Sequence, residues 1–192
     1  MALLTGSNRI NIAVFISGTG SNLKSLIKFS KLKKSPISIK MIISNNYKAK
    51  GLQYANIYKI KKKVFDFKNT LCEQKIINEL KKNDVHLICL AGFMKILSKS
   101  FIKNFKGKIL NIHPSLLPKY KGLNTHERAI RNKDKYSGCT VHFVNSRLDS
   151  GEIIKQKKVR IKKLDTPKTL AKRILIQEHK LYPAAIIKAI SL

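Results

Sequence analysis

"INIAVFISGTGSN", residues 10–22, decides how this chain folds. Residues 10–17 are an almost unbroken apolar run rich in β-branched side chains, the composition of a strand covered on both faces. Two glycines within the next three positions then break it, and helical periodicity takes over from about 21 to 31. Strand, glycine turn and helix in that order open a βαβ unit. The pattern recurs: apolar runs at 37–44, 85–91 and 108–112 alternate with helical periodicity at 49–59, 69–82 and 98–105. Right-handed crossovers between such runs predict an α/β fold, an open and mainly parallel twisted sheet with helices on both faces. Beyond residue 120 the alternation loosens. A helix near 124–132 and strands near 138–144 and 152–161 predict an antiparallel extension at the C-terminal side. Thr166-Pro167 caps a last helix expected through about residue 182.

At 192 residues and 43% hydrophobic content, the chain suits one well-buried domain. Its formal charge is +30, from 40 basic against 10 acidic side chains. The lysines are spread over nearly every segment instead of forming one stripe or tail, so a specific nucleic-acid partner is not expected, although anionic small substrates are favoured. The three cysteines, 72, 89 and 139, form neither a CxxC pattern nor an even disulfide framework, which suits a reducing cytoplasm. No apolar run has the length of a membrane span and residues 1–8 do not read as a signal peptide, so no membrane is expected; these first eight residues read as a disordered extension.

Ligands of open α/β sheets sit beyond the carboxyl ends of the strands. After the first strand, Gly20, Ser21 and Asn22 lie where backbone N–H groups at a helix start would meet an anion; a simple glycine turn with Ser21 or Asn22 as cap reads equally well. Leu23 replaces the third glycine of a dinucleotide fingerprint, so a single phosphate fits better. After the third strand, Met94, Lys95, Ile96 and Leu97 either fold back into the core or line a pocket for a flat aromatic ligand. In "KILNIHPSLLPKY", residues 108–120, strand alternation puts Asn111 and His113 on one face before Pro114 ends the pairing. These are either loop residues satisfied by backbone or a hydrogen-bond donor and a proton carrier presented together. Asp149 is either an Asx-turn residue or a carboxylate that would raise the pKa of a nearby His113. No serine triad or metal-ligand spacing is evident.

Taken together, SGTGSN, ISN with AKGLQYA, LAGFMKILS, NIHPSLLPKYKGL with TH close behind, TVHFV with LDSGEII, and QEHKLYP strongly resemble, in order and over almost the whole chain, the phosphoribosylglycinamide formyltransferase family. NIHPSLLP alone is shared with methionyl-tRNA and sugar-nucleotide formyltransferases; SGTGSN points to a ribonucleotide acceptor. A non-enzymatic, nucleic-acid-binding descendant of the same scaffold is the third reading. The resemblance implies a formyltransferase fold over residues 1–192 and metal-free transfer of the formyl group of 10-formyltetrahydrofolate to the amine of phosphoribosylglycinamide, in the de novo purine route to IMP. It implies Asn111, His113 and Asp149 as catalytic residues, with protonated His113 stabilising the oxyanion and Asp149 holding it. It assigns Gly20, Ser21 and Asn22 to the substrate phosphate and Glu178 to the glycinamide portion. Met94, Lys95, Ile96, Leu97 and Asn111 fall to the folate. It further implies a monomer or homodimer and a cis bond at Leu117-Pro118. Departures are Asn124 for a usual histidine, Lys121 for a common proline, Lys95 for a usual arginine, and Asn69, beside Lys68, for a folate-binding arginine.

Overall fold

Ile10–Ile16 forms β1, and its five residues from Ile12 to Ile16 are wholly inaccessible to solvent. A strand hidden on both faces must have neighbours on both edges, and β1 pairs in parallel with β2 (Ile37–Ser44) and with β4 (Leu87–Leu90). In the computed structural model, residues 9–67 and 71–192 are described; the expectation for residues 1–8 and the departure at Asn69 and Lys68 lie outside them. The described strands form a seven-stranded sheet in the order β3-β2-β1-β4-β5-β6-β7, with β3 at Lys61–Val64, β5 at Lys108–His113, β6 at Tyr136–Phe143 and β7 at Ile153–Arg160. Helices are α1 (Ser21–Ser30), α2 (Gln53–Ile57), α3 (Cys72–Lys82), α4 (Lys99–Asn104), α5 (Thr125–Arg131) and α6 (Pro167–Ser191). The expected mainly parallel α/β sheet with an antiparallel C-terminal side is therefore present.

The chain divides into two compact units, the first being Met1–Lys95 with Lys103–Lys108 and the second Ile96–Ile102 with Ile109–Leu192. In the first, α1 buries Leu23, Leu26, Ile27 and Ser30, the spacing of one helical face. Each fully buried aliphatic side chain of this kind contributes about 1.5–3 kcal/mol. Strand β3 was not expected. Its sequence, KKKV, carries no apolar alternation, because it is an edge strand whose lysines stay solvated. Lys61 and Lys63 meet Glu79 at 3.2 and 3.6 Å, while Lys62 donates to Asn56 at 2.8 Å.

In the second unit β5 pairs antiparallel with β6, and β6 with β7, so Asn111 stands opposite His142 and His113 opposite Thr140. Helix α6 packs on β6 and β7 and opens with a reciprocal cap, Thr169 N–H to Thr166 Oγ1 and Thr166 N–H to Thr169 Oγ1. It runs nine residues past the expected end at 182, through Pro183 to Ser191. The proline forfeits one backbone bond, but Leu181, Tyr182, Ala185, Ile186 and Ala189 continue a buried face on either side of it. Burial on that scale exceeds the cost of the lost bond.

Candidate active site

In the first unit, the turn after β1 owes its shape to a contact between two backbones. Gly20 sits at φ +73, the left-handed region, directly before α1. A Cβ there would come within 2.7 Å of the Gly51 Cα, and Gly51 N–H donates to Gly18 O at 2.9 Å. Glycine is needed on both sides of that contact. The turn thereby opens α1 directly after a left-handed glycine, and a glycine turn at a helix start is the arrangement that suits a phosphate. Ser17 ties the neighbouring strand ends together: its Oγ donates to Asn45 Oδ1 at 2.5 Å and accepts the Met94 N–H at 2.7 Å. Met94 is thus fixed by its backbone while its side chain is 67% exposed. Lys95 is exposed as well. In the second unit Ile96 is 76% exposed whereas Leu97 is buried. The two readings of this segment divide by residue, Leu97 joining the core and Met94 and Ile96 facing outward.

Also in the second unit, Asn111, His113 and Asp149 converge. Register places Asn111 and His113 on one face of β5, and the turn between β6 and β7 brings Asp149 to them. Asp149 accepts the Gly122 N–H at 2.9 Å on Oδ2. His113 Nδ1 lies 3.4 Å from the same oxygen, Asn111 Nδ2 3.4 Å from Oδ1, and His142 Nε2 3.6 Å from Oδ1. The last three are longer than ordinary hydrogen bonds, so the donor capacity of Asn111 is only partly used. Asp149 holds φ +45, left-handed for a residue other than glycine, and is 9% exposed. Burial pulls its carboxyl pKa upward, but the nearby His142 ring, the hydrogen bond from Gly122 and the charges of the two histidines outweigh this and hold it below 3.8. Asp149 is therefore ionised.

His113 is 6% exposed. Its Nε2 lies 2.8 Å from the Tyr120 carbonyl, an acceptor only, so Nε2 carries the hydrogen. Nδ1 is then the open lone pair beside Asp149. Burial lowers the His113 pKa; the Tyr120 carbonyl and Asp149 raise it, and the net result is below 6.5. The sequence reading is corrected here. Asp149 acts in the expected direction, but desolvation is larger, and the resting imidazole is neutral.

Sequence reasoning missed three contributors. His142 holds its ring through Nδ1 on the Phe143 carbonyl at 2.7 Å and faces Asn111 Nδ2 at 3.3 Å. Its signal was available: His142 stands in TVHFV at the parity that pairs with Asn111. The Tyr120 carbonyl and Gly122 N–H are backbone groups, and no residue type announces them. Glu178 lies on α6, buried; burial first, and the charge of Glu178 after it, push the Cys139 thiol up to about 12. The Leu117-Pro118 bond is cis, as the resemblance implies. Of the departures, Asn124 precedes α5 at φ +57 and Lys121 donates to Ser150 Oγ at 2.5 Å. Among the described residues no three His, Cys, Asp or Glu side chains are placed to hold a metal ion.

A half-buried amide, a neutral imidazole and an ionised carboxylate lie in one cluster on this sheet, and the formyl transferase family model, which matches residues 10–186, makes the chain a formyl-transfer enzyme. The phosphoribosylglycinamide formyltransferase of Haemophilus influenzae is 46% identical over 179 residues, 91% of this chain and 84% of that protein. The crystal structure of phosphoribosylglycinamide formyltransferase from Anaplasma phagocytophilum superimposes with a TM-score of 0.88 at 44% identity, covering 92% of this chain and 84% of that one. The chain belongs to the phosphoribosylglycinamide formyltransferase family. It is also 44% identical over 184 residues to the trifunctional purine biosynthetic protein adenosine-3 of Gallus gallus, and these residues span 94% of this chain but only 18% of that protein. The family implies a folate-type formyl donor and small-molecule substrates.

Proposed function

We propose that the protein transfers the formyl group of 10-formyltetrahydrofolate to the primary amine of phosphoribosylglycinamide, giving the N-formyl ribonucleotide of de novo purine synthesis. The observation that carries this reading is the trio in which half-buried Asn111 and buried His113 Nδ1 both border an ionised Asp149. The amine nitrogen forms a bond to the formyl carbon, whose oxygen becomes an oxyanion. Asn111 Nδ2 donates to that oxygen. One proton must leave the amine and one must reach N10 of the folate as the old carbon–nitrogen bond breaks. Neutral His113 accepts the first at Nδ1, where Asp149 stabilises the imidazolium, and returns it to N10, so charge and protons balance. Gly20, Ser21 and Asn22 bind the ribose phosphate, Glu178 the glycinamide portion, and Met94, Lys95 and Ile96 the folate, with buried Leu97 anchoring that segment from beneath and no metal. Holding both reactants in one geometry supplies much of the acceleration.

The protein acts as a single formyltransferase domain, a reading the family match across residues 10–186 supports, and works as a monomer or homodimer in the cytoplasm without a nucleic-acid partner. The test is an absorbance assay of folate release by purified protein, with phosphoribosylglycinamide as acceptor. Product formation at enzyme-like turnover is expected. No product with this acceptor, or turnover only with methionyl-tRNA or a sugar-nucleotide amine, overturns the assignment.

A further inference from the structure

The loop of residues 120–122 touches both members of the proton-carrying pair through its backbone, with Tyr120 O on His113 Nε2 and Gly122 N–H on Asp149. Its conformation is not one a tyrosine adopts by default. Tyr120 has φ +56, in the left-handed region, so the carbonyl stays in place only if other contacts hold the residue there. Those contacts are visible and come from residues the reaction does not use. The Tyr120 hydroxyl donates to Asp134 Oδ2 at 2.9 Å and accepts from Asn132 Nδ2 at 3.0 Å. The Arg128 guanidinium lies over the Tyr120 ring, 5.0 Å from its centroid, and donates to the Lys121 carbonyl at 2.7 Å. Arg128 thus grips the chain immediately after the carbonyl that His113 reads, and the ring immediately beside it.

We propose that Tyr120 and Arg128 are positioning residues that hold the Tyr120 carbonyl on His113 Nε2 and thereby select the tautomer in which Nδ1, beside Asp149, is the proton acceptor. The proposal rests on the formyl-transfer reading for its kinetic consequence but not for its spectroscopic one. A carbonyl at Nε2 is what makes Nδ1 the lone pair; if the carbonyl drifts, either nitrogen can carry the hydrogen and part of the population has its base pointing away from the reaction. The charged and titratable groups that face His113 are Asp149 on the β6–β7 turn, His142 on β6, and His126 and Arg128 on α5. Arg128 has two opposed influences. Its charge disfavours the imidazolium directly, while the Tyr120 carbonyl, positioned through the ring that Arg128 covers, favours it, and the carbonyl's influence is the larger.

The test uses the whole chain, labelled with nitrogen-15, with His113 resonances assigned by their loss in His113→Gln. Wild-type His113 is expected as the Nε2–H tautomer above its pKa. Arg128→Met and Tyr120→Phe are each expected to give mixed tautomers and a lowered His113 titration midpoint. Each should also show a fall in kcat of about ten-fold with KM changed less than two-fold. Arg128→Lys, which keeps a cation and a donor, should restore most of the rate. A merely electrostatic role predicts the opposite sign, a raised midpoint in Arg128→Met. That result, an Nδ1–H tautomer in the wild type, or wild-type tautomer and kcat in both variants, overturns the proposal. If Arg128→Met does not fold, Tyr120→Phe, which removes one hydroxyl, decides alone. Absent turnover in the wild type with the tautomer shifts intact refutes formyl transfer and leaves the positioning role standing.

Discussion

Asp149→Asn isolates one charge at the centre of the cluster. Asparagine tolerates the left-handed φ of +45 at least as well as aspartate, and its oxygen can still accept the Gly122 N–H at 2.9 Å, so the turn keeps its shape. What disappears is the carboxylate 3.4 Å from His113 Nδ1. Opposite unit charges at that separation, in an effective dielectric of about 20, attract by about 5 kcal/mol, equivalent to between three and four decades of rate if it acts wholly on the imidazolium formed during transfer. The expected outcome is therefore a loss of about a thousand-fold or more in kcat, with KM for both substrates little changed. Absorbance at folate release measures the rate, and circular dichroism and urea unfolding establish that the variant is folded. A folded Asp149→Asn protein within ten-fold of wild-type kcat would refute the reasoning, because no charge-stabilised imidazolium could then lie on the reaction path.

Other perturbations probe separate parts of the molecule. Asn111→Ala removes the donor aimed at the developing oxyanion and should lower kcat by about a hundred-fold or more, and His113→Ala by a comparable factor; near-normal turnover in either contradicts its role. Gly20→Ala places a Cβ 2.7 Å from the Gly51 Cα at φ +73, and the strain of about 1–2 kcal/mol for a left-handed residue should raise KM for the phosphorylated acceptor about ten-fold or more. An unchanged KM would separate this turn from phosphate binding. Stability should fall on acidification, with a sign fixed by burial. The His113 pKa is depressed below 6.5, so below that pH the unfolded chain takes up a proton the native state still refuses, and native stability is lost as pH falls. Asp149, depressed below 3.8, adds a loss of the same sign at lower pH. Urea midpoints at pH 7.5, 6.5 and 5.5 should decline in the wild type and decline less in His113→Gln; parallel slopes would show that His113 does not supply the dependence.

The legibility of the sequence followed the physics of each element. Central strands must be apolar on both faces, so β1, β2 and β4 were readable; β3, an edge strand of three lysines and a valine, carries no such obligation and was invisible until Met41 and Ile43 paired with Lys61 and Lys63. The expected end of α6 at about 182 fell short because a buried face that only packing supplies carries the helix through Pro183 to Ser191.

For the site, the one-dimensional pattern settled which side chains share a face. Asn111 and His113 alternate with Ile112 on one strand, and alternation is a property of the backbone whatever surrounds it. The glycine turn of SGTGSN was legible as a break between strand and helix, whereas the close approach of Gly51 that excludes a Cβ at Gly20 was not. Tertiary structure decided the rest. The partner across β6 that makes His142 a neighbour of Asn111, and the turn that brings Asp149 within 3.4 Å of His113, depend on register between distant segments. So does the protonation state. The sequence suggested a histidine whose pKa a carboxylate would raise; the fold buried it, and desolvation outweighed that carboxylate. Which nitrogen holds the hydrogen was set by the Tyr120 carbonyl, a group every residue possesses and only the folded chain can aim.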